Sequence, residues 1–101
     1  MPIAHLVTNV KIADVKKFSI ALSKGCSEAW DLPDKDGSRT SASVEYNESL
    51  NFDGNHDSAF LLEFRMINMA QAGTPKRDAF AKSLCEFMEK ELGIPQSRGY
   101  M

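Results

Sequence analysis

Alternating and continuously apolar runs are interleaved along this chain with two stretches in which apolar residues return every three or four positions. Residues 3–10 are rich in Ile, Leu, Val and Thr and contain neither glycine nor proline, which predicts a mostly buried strand. Over residues 14–30 the apolar positions Val15, Phe18, Ala21, Leu22, Gly25, Cys26 and Ala29 form the stripe of an amphipathic helix, with Asp14 as its N-cap. The run Asp31-Leu32-Pro33-Asp34-Lys35-Asp36-Gly37-Ser38 then ends the helix near Leu32 and opens a polar loop. Ala42, Val44 and Tyr46 alternate with Ser41, Ser43 and Glu45, the pattern of a half-buried second strand.

A polar loop over residues 47–57 leads into the most strand-like run, residues 59–68. Phe60, Leu62, Phe64 and Met66 share one face, which must pack on helices; Leu61, Glu63, Arg65 and Ile67 share the other, a mixed surface suited to an oligomer's interior. Thr74-Pro75 predicts a helix opening with Thr74 as N-cap, followed by the stripe Phe80, Ala81, Leu84, Phe87, Met88 and Leu92. Gly93 caps that helix, Ile94-Pro95 leaves it, and residues 98–101 read as the start of another strand. This order predicts an α/β fold of two β-α-β units: a four-stranded sheet covered on one face by two helices, with the strands of each unit parallel through right-handed crossovers. The other sheet face is left bare, which predicts subunit association through it.

Composition narrows the field of partners. A chain of 101 residues, 43% hydrophobic and 26% charged, reads as a single globular domain over residues 1–101. Its net charge of −2 and scattered Lys and Arg argue against nucleic acid or an anionic membrane as the main partner. With no charged start followed by an apolar run and cleavage site, and no apolar stretch near the roughly 20 residues that span a bilayer, the expectation is synthesis in the cytosol, no membrane insertion, and any export by a leaderless route. Cys26 and Cys85 fall within helical stripes and outside any Cys-x-x-Cys motif, so both are expected as buried free thiols.

The candidate chemistry sits at the start. Removal of Met1 turns the Pro2 nitrogen from an amide without basicity into a secondary amine at the head of an apolar strand. An α-amino group ordinarily titrates at about 7.7–8.0 and proline's intrinsically higher; a desolvated pocket brings such an amine toward neutrality, where a base that abstracts protons is most useful. The rival chemistries are weaker. His5 and His56 lack the ligand spacing of a zinc site, and His56 and Asp57, adjacent on an extended segment, point to opposite sides and cannot join Ser58 in a hydrolytic triad. Asp31, Asp34 and Asp36 do not follow the calcium-loop pattern, and no glycine-rich phosphate loop is present. No cofactor or metal is expected.

Several short motifs, in order and at near-constant spacing, carry a resemblance along essentially the whole chain. They are Met1-Pro2-Ile3 with Thr8-Asn9-Val10, Leu32-Pro33, Val44 onward to Leu50-Asn51-Phe52-Asp53-Gly54, Met66-Ile67-Asn68, Leu84-Cys85, and Leu92-Gly93-Ile94 to Arg98-Gly99-Tyr100. Together they resemble the macrophage migration inhibitory factor and D-dopachrome tautomerase family of the tautomerase superfamily. The segment Asp53-Gly54-Asn55-His56-Asp57 with Ala59-Phe60 is also similar to the 5-carboxymethyl-2-hydroxymuconate isomerases, a neighbouring branch that likewise begins with proline.

The resemblance implies a homotrimer with active sites between subunits and cofactor-free keto–enol tautomerisation of an α-keto acid such as phenylpyruvate, or of a dopachrome-like compound. Pro2 matches the catalytic base. Ile67 matches a pocket-lining residue, and Tyr100 an aromatic contributed by a neighbouring subunit. A lysine usual before the proline that closes the first helix is replaced by Leu32, so the contact to the substrate carboxylate passes to Lys35 or Arg39, the muconate isomerases having an arginine in this region. Phe60 and Glu63 stand where some members have a Cys-x-x-Cys, so the thiol redox activity associated with it is not expected here. Members continue for about a strand and a tail beyond Tyr100, so the C-terminal strand and tail are expected to be short or missing in this chain. The alternative functions implied are a cytokine-like signalling trimer that binds a cell-surface receptor with vestigial catalysis, and a muconate-isomerase-like enzyme.

Overall fold

A computed structural model describes residues 2–66 and 73–101. The elements run β1 (Ile3–Thr8), α1 (Val15–Ala29), β2 (Ser41–Tyr46), β3 (Phe60–Arg65), α2 (Thr74–Leu92), a 3-10 turn (Gln96–Arg98) and β4 (Gly99–Tyr100). They form a four-stranded sheet of order β2-β1-β3-β4. β1 pairs parallel with β2 and β3 parallel with β4, and the two units join through an antiparallel β1–β3 pair. The predicted pair of β-α-β units is present, with β1 and β3 at its centre.

Side-chain alternation divides the two sheet faces. Ala4, Leu6 and Thr8 of β1 and Phe60, Leu62 and Phe64 of β3 are buried under the helices, beside Phe18, Leu22 and Cys26 of α1 and Phe80, Leu84 and Met88 of α2. Aromatic rings fill the region between β3 and the helices: Phe64 stacks on Phe80 with centroids 4.7 Å apart, and Trp30 meets Phe80 edge-on at 5.3 Å. On the bare face Ile3, Leu61 and Tyr100 are exposed, beside the half-buried His5 and Val7.

The ends of α1 are set by local hydrogen bonds. The Asp14 carboxylate accepts from the Lys17 backbone N–H (3.1 Å), the predicted N-cap. The helix stops at Ala29, three residues before the expected Leu32, because Asp31 adopts a left-handed φ of 60°. Its N–H donates to the Glu28 carbonyl (3.1 Å), and the Leu32 N–H donates to the Ser27 carbonyl (2.9 Å), a Schellman closure with Leu32 turned back onto the core. In α2 the cap is Gly73 rather than Thr74, which lies inside the helix and makes no capping bond. Pro75 near the helix start explains the shift, since it lacks an N–H and suits the first turn. Gly93, at φ 68°, closes α2 as expected.

Candidate active site

The carbonyl of Pro2 accepts from the Ser41 N–H (3.0 Å), which extends the parallel β1–β2 ladder by one bond and fixes Pro2 beside the start of β2. The residue just before that strand is Thr40. It is buried, and its hydroxyl meets the Ser27 hydroxyl of α1 at 2.7 Å. Between helix and strand, Gly37 lies backbone-to-backbone on α1: with φ 83°, a Cβ there would come within 2.7 Å of the Lys24 nitrogen. Residues 31–40 are thus pinned at the Schellman turn, at Gly37 and at Thr40, and the loop is carried by α1 as a rigid wall.

That wall and Pro2 border an open cavity of about 280 Å³, lined by Pro2, Leu32, Pro33, Asp34, Arg39, Thr40 and Met66. Three sequence-predicted residues, Pro2, Leu32 and Arg39, therefore come together within one chain. The volume lies just below the usual range for small-molecule sites. Its lining is mainly apolar, with one acid and one base. These two are paired: Arg39 Nε lies 3.1 Å from Asp34 Oδ2, with both side chains reaching solvent. Lys35, the other candidate anion contact, does not line the cavity; its ammonium is 2.8 Å from Asp31. The hydrogen bond and charge of Lys35 hold the Asp31 carboxyl below its ordinary range, and those of Asp31 raise the lysine.

Tyr100 lies elsewhere. It pairs with Leu61 in β4, and Leu61 in turn faces Val7, so Tyr100 is five residues up the ladder from Pro2, roughly 16 Å at ordinary strand rise. Within one chain it cannot reach the Pro2 cavity. It borders instead a larger cavity of about 740 Å³ along β3 beyond the short β4, which includes Trp30, Phe64, Phe80, Arg77 and Met101. Ile67 lies outside the described residues.

The chemistry of the remaining candidates is also settled by their surroundings. Cys26 and Cys85 are free and buried; burial pushes the Cys26 thiol up to about 12 and raises Cys85. His5 lies on the bare sheet face, and His56 is exposed in the loop. Among the described residues, no group of three or more His, Cys, Asp or Glu side chains could hold a metal, and no helix is long and apolar enough to cross a membrane.

Sequence reading missed the device that orders the loop between β2 and β3. The Asn9 amide donates to the carbonyls of Leu50 (3.2 Å), His56 (3.1 Å) and Asp57 (3.0 Å) and accepts from the Ala59 N–H (2.9 Å). From the other side the Arg98 guanidinium donates to the carbonyls of Phe52 and Asp57, each at 2.8 Å, and lies 5.1 Å from the Phe52 ring centroid. Within this loop Asp53 and Gly54 both have positive φ, making a tight hairpin between Phe52 and Asn55.

Comparison with known proteins agrees with this architecture. The sequence model of the macrophage migration inhibitory factor (MIF) family matches residues 1–101, and the chain belongs to that family. Among solved structures it is similar to the MIF-like protein of Entamoeba histolytica, at 20% identity and TM-score 0.79 over 98% of this chain and 82% of that one. It is similar to the MIF homologue of Prochlorococcus marinus, at 23% identity and TM-score 0.79 over 97% and 82% of the two chains. The MIF of Trichinella spiralis gives 23% identity and TM-score 0.76 over 97% and 83%. No curated protein matches the sequence.

Proposed function

We propose that this MIF-family chain is a cofactor-free keto–enol tautomerase in which Pro2, freed by removal of Met1, is the general base. The substrate is a compact α-keto acid of the phenylpyruvate type or a dopachrome-like compound. The amine takes a proton from the carbon beside the carbonyl and returns it to the other end of the enol system, so no electron leaves the substrate and no cofactor is called for. The observation that carries this reading is the cavity in which Pro2 meets the apolar side chains of Leu32, Pro33 and Met66 beside a single cation, Arg39. An apolar lining disfavours the ammonium form of the amine, and a cation at the edge stabilises negative charge building on the substrate oxygen.

The active unit is a trimer. The bare sheet face with exposed Ile3 and Leu61 supports this, as does the distance of Tyr100 from its own Pro2, which leaves a neighbour's Pro2 as its partner. A protein that works instead as a receptor-binding signalling trimer is favoured only by the pairing of Arg39 with Asp34, which weakens its hold on a substrate carboxylate.

The test is the rate of enol-to-keto conversion of phenylpyruvate by protein whose intact mass shows loss of Met1. The same chain with Met1 retained, in which the Pro2 nitrogen is an amide, is expected to show a kcat lower by at least about 100-fold, the scale of a lost general base. Wild-type protein with no rate above buffer would remove the enzymatic reading and leave the signalling one.

A further inference from the structure

Asp34 and Arg39 are held as a pair by a backbone that has little room to drift. Gly37, between them, rests on the α1 backbone with no space for a Cβ, and Thr40, directly after Arg39, is anchored to Ser27 at 2.7 Å. Both side chains border the Pro2 cavity, and Arg39 Nε already lies 3.1 Å from a carboxylate before any substrate arrives. The neighbouring cation offers no relief, because Lys35 is engaged with Asp31 at 2.8 Å. Leu32 adds an apolar wall and no charge.

Resting on the reading of Pro2 as the base, we propose that Asp34 is a specificity-determining residue: by occupying Arg39 it sets how far the site favours anionic over uncharged carbonyl substrates. A substrate carboxylate must share the guanidinium with Asp34 or displace it from Nε, and in either case it sits beside a like charge. An uncharged keto compound does neither. Because an ion pair open to solvent is weak, the exchange occurs and acids are not excluded. Binding them is nonetheless poorer than it would be at an unpaired arginine, which engages a carboxylate through two parallel N–H bonds. The site therefore handles neutral ketones or keto esters nearly as well as the corresponding acids.

Phenylpyruvate and its methyl ester are the paired probes, assayed with mature wild type, Asp34→Asn, Arg39→Gln and the double variant. Asp34→Asn is expected to lower KM for the acid about three- to tenfold and to lower KM for the ester by clearly less, so that the acid-to-ester ratio of kcat/KM rises. Arg39→Gln is expected to cancel that gain in the double variant. An acid KM unchanged by Asp34→Asn, or acid and ester shifting together, overturns the proposal. A second arm reads binding without catalysis: NMR titration with phenylacetate, which has no keto group, is expected to show tighter binding to Asp34→Asn. If that gain appears while the Met1-retaining form keeps full activity, the base assignment fails and the role of Asp34 stands. If the Met1-retaining form is inactive and Asp34→Asn binds phenylacetate as wild type does, the reverse holds.

Discussion

At position 32 the chain carries a side chain that packs. Leu32 folds back on the core at the Schellman turn while still bordering the Pro2 cavity, so its side chain serves the helix end and the cavity wall together. Leu32→Lys places a second cation there and is expected to raise kcat/KM for phenylpyruvate roughly tenfold at a stability cost of about 1 kcal/mol, read from initial rates and denaturant titration. Cys26 gives a pH dependence. Burial pushes its thiol from 9.0 to about 12, so between those values the unfolded chain releases a proton that the folded one keeps. Stability contributed by this group is complete below pH 9 and is lost as pH rises toward 12, by up to roughly 1.4 kcal/mol per pH unit. Urea unfolding under reducing conditions checks this: the fall on the alkaline side shrinks in Cys26→Ala. The thiol's burial was legible from its place on a helical stripe. The roles of Asn9 and Arg98 were not, because their acceptors are backbone carbonyls up to 48 and 46 residues away, and a carbonyl leaves no mark in sequence.

At the scale of elements, period and composition located the four strands and two α-helices of the described residues but not the 3-10 turn at Gln96–Arg98, and the other errors fall at element ends. Asp31 turning left-handed shortens α1, and Gly73 displaces Thr74 as the cap of α2. The loop from α1 to β2 looked merely polar, yet Gly37 makes it a fixed wall by approaching α1 more closely than any other residue could. Gly37→Ala is expected to lower stability by at least about 2 kcal/mol, from the left-handed φ and the backbone overlap together. Its mark on function is a raised KM with little change in kcat, because Arg39 moves while Pro2, held by Ser41, does not. Gly99 is the counterpart in β4. Its Cα side rests on the ring of the fully buried Phe60, so Gly99→Val forces that ring out of the core and is expected to lower the melting temperature by several degrees, roughly 4–8 °C per kcal/mol lost.

At the scale of the molecule, the helices cover one sheet face and leave the other bare. The alternation of Leu61, Glu63 and Arg65 made that face visible in sequence; what covers it is a matter of assembly that no single-chain pattern encodes. Light scattering on the purified protein is expected to give three times the 11.2 kDa chain mass, and Leu61→Glu to shift it toward a single chain. Pro2 and the loop that faces it were legible separately, one from the first residues and the other, as a polar loop only, from a run of Pro, Gly and acids. Their convergence on one cavity comes from the parallel pairing of β1 with β2. The claim that this cavity holds an amine base is tested most directly by changing the nitrogen alone. Phenylpyruvate tautomerisation should be compared between the mature chain and the same chain with Met1 retained, where Pro2 keeps its side chain and place but its nitrogen is an amide. Loss of activity by at least about 100-fold in the Met1-retaining form is the predicted result, and equal rates for the two forms would contradict the account.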